Sequence, residues 1–182
     1  MRTGPLAAAA VIALAGCHHE PALPDGANAV VQRVVDGDTI DVRIEGRTER
    51  VRLLGIDTPE SVGDRPPECW GKEASHLTDQ LLPKGTAVRL ERDQEARDAY
   101  GRLLAYVTRV PDGLLVNLVL AERGAADALI IPPNTGHAAE VAAAVAAARA
   151  TGAGLWGACG GPDEPLAATT TRDSSEKRSG DG

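Results

Sequence analysis

Residues 51–60 read "VRLLGIDTPE". Val51, Leu53, Leu54 and Ile56 are residues of a buried strand, yet Arg52 sits among them and Asp57, Thr58, Pro59 and Glu60 follow at once. A buried guanidinium or carboxylate is costly unless it is paired, so the stretch reads as a strand that ends in a site. Regular alternation sends side chains an odd number of residues apart to opposite faces. Arg52 and Asp57 are so spaced, and a shared site requires the chain to bend or leave the strand near Gly55, where glycine permits it.

Upstream, "AVVQRVV" reads as a first strand, ended by a turn at Asp36-Gly37. Ile40, Val42 and Ile44 then alternate with Asp41, Arg43 and Glu45, the pattern of a half-buried strand. Glu45-Gly46-Arg47 is a hairpin turn, and "RVRLLGI" is the third strand. Downstream, "ECWGKEASHLTDQLL" has helical spacing, with Ala74, Leu77 and Leu81 on one face and a stop at Pro83-Lys84-Gly85. "TAVRLERD" and "GRLLAYVTRV" are two further strands. "VNLVLAERG" is a short helix, and "NTGHAAEVAAAVAAARATG" is an Ala-rich helix expected to be capped by Asn134 or Thr135. Three strands, a helix, two strands and two helices predict an α+β fold, a five-stranded OB-fold β-barrel with three helices.

Composition fits one domain with tails. The chain has 182 residues, 43% of them hydrophobic, with two Trp, two Tyr and no Phe, so the core must be Val, Leu, Ile and Ala. The net charge of −7 argues against a broad phosphate-binding surface but leaves room for a local basic site.

Residues 1–16 are one Arg followed by a short apolar run, an export signal rather than a membrane span. Leu14-Ala15-Gly16-Cys17 resembles a bacterial lipobox, which implies cleavage before Cys17 and a lipid on its sulfur. The plainer alternative is an ordinary signal peptide with a chance Cys. Either way the mature protein is expected outside the cytoplasm, lipid-anchored to the bacterial cell envelope or secreted. Residues 17–27 form a tether, where His18 and His19 read as solvated, residues 28–160 the folded domain, and residues 161–182 a disordered polar tail. Cys69 and Cys159 remain. In an oxidising compartment an isolated pair invites a disulfide, stabilising by about 4–5 kcal/mol in the chain-entropy model; two free thiols are the alternative.

Three clusters carry chemistry: Asp36-Gly37-Asp38-Thr39; Arg52 with Asp57-Thr58-Pro59-Glu60; and "DAYGR", residues 98–102. Carboxylates and carbonyls at turns suit a hard cation such as Ca²⁺ or Mg²⁺, with water or a substrate oxygen completing the shell. No His/Cys set has zinc spacing. Two arginines can fork onto phosphate oxygens and offset charge in phosphoryl transfer. Glu60 can take a proton from an attacking water. Each cluster alone is also ordinary turn, strand or helix-start chemistry; their order along one barrel favours a phosphodiesterase.

The set resembles the staphylococcal nuclease (thermonuclease) family. The matching pieces are "VVDGDTIDV", "VRLLGIDTPE", "GKEAS", "DAYGRLLAYV", "VNLVLAERGAA", "IPPNTGHAAE" and "GLW", across almost all of residues 30–156. The resemblance implies a five-stranded OB barrel with three helices and Ca²⁺-dependent cleavage of DNA and RNA to 3′-phosphates. By the same resemblance, Asp38 and Asp57 are metal ligands, the Thr58 carbonyl also faces the metal, and Glu60 is the general base. Arg52 and Arg102 bind phosphate, Tyr100 lies beside the nucleotide's phosphate, and Asp36 is an acidic neighbour with a lesser role. Leu129 and Ile131 stand where the family's best-known member has tyrosines at its base pocket, so base binding is expected to be weaker or less selective. The expected partners are DNA and RNA as substrate and the membrane through Cys17, with the chain a monomer. The rival readings are a non-catalytic nuclease-like module that binds nucleic acid or protein, and an envelope protein whose acidic turn binds Ca²⁺ for stability alone.

Overall fold

A computed structural model of the chain describes residues 22–61 and 66–166. The expected signal, Cys17 and residues 167–182 lie outside the described residues. Strand β1 (Ala29–Asp36) pairs antiparallel with β2 (Thr39–Ile44), and β2 with β3 (Arg47–Leu53). The chain continues through β4 (Gly55–Asp57), helix α1 (Gly71–Leu81), β5 (Ala87–Glu91), β6 (Leu103–Arg109), β7 (Leu114–Leu115), α2 (Val116–Glu122), β8 (Asp127–Leu129), α3 (Ala138–Thr151) and the short α4 (Leu155–Ala158). The strand order β3-β2-β1-β5-β6 closes through a parallel β3–β6 pairing, with Arg52 opposite Leu104. This is the expected five-stranded OB barrel with α1, α2 and α3 around it. Short β7 extends the β6 edge, and β4 with β8 forms a small separate sheet.

The barrel interior is aliphatic, as the composition requires. Val31, Ile40, Val42, Val51, Leu53, Val88 and Val107 are buried within it. One outward position departs from simple alternation: Asp41 is buried because Arg33 (2.7 Å) and Arg50 (2.8 Å) close over it from the neighbouring strands. Asn117, fully buried at the start of α2, joins the helix to the barrel. Its Oδ1 accepts from the Val107 N–H at 2.8 Å, and its Nδ2 donates to the Leu54 carbonyl at 2.8 Å.

Two helix starts differ from the sequence expectation. α1 begins at Gly71 because the preceding residues are otherwise engaged. Glu68 bridges to Pro165, Cys69 is bonded to Cys159, and Trp70 takes a left-handed φ of 73°. α3 is not capped by Asn134 or Thr135; His137 stands at its start. The Asn134 side chain instead accepts from the Glu95 N–H (2.8 Å) and donates to the Glu95 carbonyl (3.1 Å). The expected tail boundary also moves. Glu164 and Leu166 share backbone hydrogen bonds with Cys69 and Pro67, so the paired chain extends at least to residue 166.

Replacing Asn117 by Ala leaves the Val107 N–H and the Leu54 carbonyl buried without their partner. Such orphaned groups cost about 1–3 kcal/mol each. The expected outcome is a clearly lower urea midpoint at unchanged slope; an unchanged midpoint contradicts this role.

Candidate active site

The site forms where β3 ends. After Leu53 the chain turns through Leu54 and Gly55, whose φ is 80°, a conformation that glycine adopts without the steric penalty of a Cβ. The turn moves the following residues out of the barrel sheet and into pairing with β8. It also solves the parity problem of Arg52 and Asp57. The Arg52 guanidinium reaches back along the bend: Nη1 donates to the carbonyls of Leu53 (2.8 Å) and Ile56 (2.7 Å), and Nη2 to Asp57 Oδ1 (2.5 Å). Its Nε faces Asp38 Oδ1 at 3.2 Å. Only 12% of the Arg52 side chain is exposed.

Asp38 is the last residue of the β1–β2 turn, directly before β2, and is itself buried. Its Oδ2 accepts from both the backbone N–H (2.9 Å) and the hydroxyl (3.1 Å) of Thr58, and its Oδ1 accepts from the Thr39 hydroxyl (3.0 Å). Asp38, Arg52, Asp57 and Thr58 are thus in direct contact.

Glu60 stands next to this group. Asp36, beside it, accepts from the hydroxyls of Ser61 (2.6 Å) and Ser75 (2.8 Å), which fixes the residue after Glu60 to β1 and α1. On its other side, Glu68 Oε2 accepts from the Glu60 N–H at 2.9 Å. Gly71 presses on the same residue: a Cβ there would lie 2.5 Å from the Glu60 carbonyl oxygen. Sequence reading gave no role to Ser61, Ser75 or Glu68. Ser75 lies in the quoted "GKEAS" piece, whereas nothing local marks Glu68.

The electrostatics show a site short of positive charge. Glu60 is exposed as a residue, yet partial dehydration of its carboxyl, its contact with Asp36 and the charges of Asp36, Asp38 and Glu68 push it up to about 7. Asp57 keeps half its side chain open, but dehydration under the surrounding chain raises it to about 6; Arg52 opposes that shift, and Asp38, Asp163 and Glu68 add to it.

Arg102 is aimed by Asp98, which accepts from its Nε (2.6 Å) and from its backbone N–H (2.9 Å). The guanidinium lies 5.6 Å from the ring centre of Tyr100, an exposed residue. Arg52, Arg102 and Tyr100 line one cleft of about 440 Å³, together with Leu129 and Ile131. The second and third sequence clusters therefore meet at one cleft.

Asp38 and Asp57 offer only oxygen donors, and the raised carboxyls around them fit a hard divalent cation. Among the described residues there is no group of three or more His, Cys, Asp or Glu side chains arranged for a metal ion. A cation here would depend on chain carbonyls, water and substrate oxygens as well.

Residues 50–158 match the family described as "Staphylococcal nuclease homologue". The chain belongs to the staphylococcal nuclease family. It is 46% identical over 110 residues to a thermonuclease of Staphylococcus intermedius, covering 60% of this chain and 64% of that one. It is 44% identical over 105 residues to a thermonuclease of Staphylococcus hyicus, covering 57% and 60%. It is 39% identical over 126 residues to the endonuclease YncB of Bacillus subtilis (strain 168), covering 66% and 57%. The chain spans less than two thirds of the length of these relatives. The family match begins at residue 50, so it contains Arg52, Asp57, Glu60 and Arg102, while Asp36 and Asp38 precede it.

The raised carboxyls set a pH signature for the cation-free protein. A carboxyl raised by folding contributes stability that is present below its unfolded pKa and lost as pH rises through the folded one. For Asp57 and Glu60 that loss runs from about pH 4 up to their folded values of about 6 and about 7. In a chelator, the melting temperature is expected to fall as pH goes from about 5 to about 8. The Asp57→Asn substitution should flatten that fall; an unchanged slope in the variant contradicts the shift.

Proposed function

We propose that this protein is an exported Ca²⁺-dependent nuclease, hydrolysing phosphodiester bonds of DNA and RNA to 3′-phosphate products. The observation that carries the reading is the convergence of Asp38, Asp57 and Thr58 around Arg52, which itself lines one cleft with Arg102 and Tyr100. Membership of the nuclease family supports it.

Asp38, Asp57 and the Thr58 carbonyl would hold the Ca²⁺, which when bound supplies positive charge for the phosphoryl group under attack. The rest is done by side chains of this chain. Arg52 and Arg102 bind non-bridging phosphate oxygens and stabilise the charge that builds on them. Tyr100 stands beside the phosphate. Glu60, poised near neutral pH, accepts a proton from water as the water oxygen bonds to phosphorus. The bond to the 5′ oxygen breaks in line, leaving the phosphate on the 3′ oxygen. Leu129 and Ile131 offer an apolar wall without aromatic faces. Base stacking on an aromatic is worth about 1–3 kcal/mol, so cutting should depend weakly on base identity.

Export, with a lipid on Cys17, is proposed from the N-terminal signal and lipobox, and the Cys69–Cys159 bond supports an oxidising compartment. A monomer is proposed.

The test is cleavage of single-stranded DNA by the purified chain with Ca²⁺ and again with EGTA. The expected results are cutting only with the cation, 3′-phosphate ends, and a loss of about 10²–10⁴-fold in kcat for Glu60→Gln. Tight DNA binding without cutting under any divalent cation would instead establish the binding-module reading.

A further inference from the structure

Glu60 has no secondary structure of its own: β4 ends at Asp57 and α1 starts at Gly71. Its C-terminal neighbour Ser61 is tied to Asp36 and Ser75, and its own backbone is held by a reciprocal pair of hydrogen bonds to one residue. The Glu68 backbone N–H donates to the Glu60 carbonyl at 2.9 Å, and the Glu60 N–H donates to Glu68 Oε2 at 2.9 Å. Glu68 is in turn the middle of a three-layered strip. On its far side it bridges to Pro165, while the Cys69 N–H donates to the Glu164 carbonyl (2.8 Å) and the Leu166 N–H to the Pro67 carbonyl (3.2 Å).

Strip and helix α4 are joined covalently next to this pairing. Cys69, the neighbour of Glu68, is bonded to Cys159, 90 residues away in sequence, with the Cα atoms 6.0 Å apart. Cys159 is a firm anchor. It closes α4, whose Leu155 and Trp156 are buried, and the Leu155 N–H donates to the Gly124 carbonyl at 2.9 Å beyond the end of α2. Without the bond, the outer edge of the 66–69 segment is held by exposed backbone hydrogen bonds, which open easily, and its inner end by the run into α1, where the Gly71 N–H donates to the Glu68 carbonyl at 3.1 Å.

We propose that Glu68 is a positioning residue for Glu60 and that the Cys69–Cys159 bond sets its position, so that full nuclease activity requires the oxidised chain. The inference rests on the nuclease reading of Glu60. Forming the bond removes two electrons and two protons from the two thiols. A disulfide donor in an exporting compartment takes them up by thiol–disulfide exchange and becomes a dithiol. A chain kept among reducing thiols therefore holds its phosphate-binding arginines in place while its base is poorly placed. The device couples cutting to export.

A misplacement of about 1 Å in a catalytic group can cost about 10²-fold in rate. The purified chain is assayed on single-stranded DNA with Ca²⁺, oxidised and after reduction with dithiothreitol, with far-ultraviolet circular dichroism confirming the fold. Trimethylamine N-oxide is present in both arms to favour the compact state. Reduction is expected to lower kcat by about tenfold or more, with KM and DNA affinity nearly unchanged. Glu68→Ala, with the disulfide intact, should lower kcat likewise, and Glu68→Gln should restore most of it, because its amide oxygen still accepts from the Glu60 N–H. Wild-type kcat in Glu68→Ala, or in a folded reduced chain, overturns the proposal. So does a parallel loss of kcat and DNA affinity, the mark of general damage. Failure of the oxidised wild-type chain to cut sinks the nuclease reading instead.

Discussion

Arg52 is a cation placed where β3 leaves the barrel, and both the bend and the cleft depend on how its charge is met. A guanidinium has five N–H donors in a rigid fork. Here hydrogen bonds to Leu53, Ile56 and Asp57 use three of them, and Nε lies against Asp38. The two carbonyl acceptors lie on either side of the turn at Gly55, so the guanidinium stabilises the local backbone as well as the carboxylates. Taking away one partner of the buried Arg52–Asp38 pair leaves the other uncompensated, at about 3–5 kcal/mol. Fold and site are therefore joined at one side chain. The parallel pairing of β3 with β6 then puts that side chain in register with the strand that Arg102 enters, and the two arginines face one cleft.

The strand order was readable because it rests on local pattern. Ile40 and Val42 alternate with polar neighbours, and turn residues separate the strands, so the barrel follows from period and punctuation. The site was readable for a different reason: Arg52, Asp57 and Glu60 are close in sequence, and the long-range members, Asp38 and Arg102, each sit in a motif of their own. What escaped depends on distant pairings. Asn134 has the chemistry of a helix cap, but the loop at Glu95 competes for its side chain and wins. Asp41 looks solvent-facing until two arginines from adjacent strands cover it. Glu68 looks like the first turn of a helix; the disulfide and the strand-like contact with Pro165 hold it outside that helix. In each case a local preference of a few tenths to about 1 kcal/mol yields to tertiary contacts.

The unevenness of charge around the site argues for a catalytic use over a structural one. The chain carries a net charge of −7, yet the cleft presents two arginines. Beside them Asp36, Asp38, Asp57, Glu60 and Glu68 lie close together, and dehydration, with the neighbouring negative charges adding to it, raises Asp57 and Glu60 well above the ordinary carboxylate range. Such crowding opposes folding in the absence of a cation. It persists because the scaffold around it is over-determined: Ser61 and Ser75 hold Asp36, Thr58 holds Asp38, and Glu68 holds Glu60. A carboxylate whose only task was to bind a stabilising ion would gain nothing from a base-like pKa or from a neighbouring cleft that presents two guanidinium groups. A phosphodiester brings the missing pieces: negative oxygens for the arginines and a reaction that needs a proton acceptor near neutral pH. The arrangement is costly as architecture and economical as chemistry, and that asymmetry is the physical support for the proposal of hydrolysis at this site.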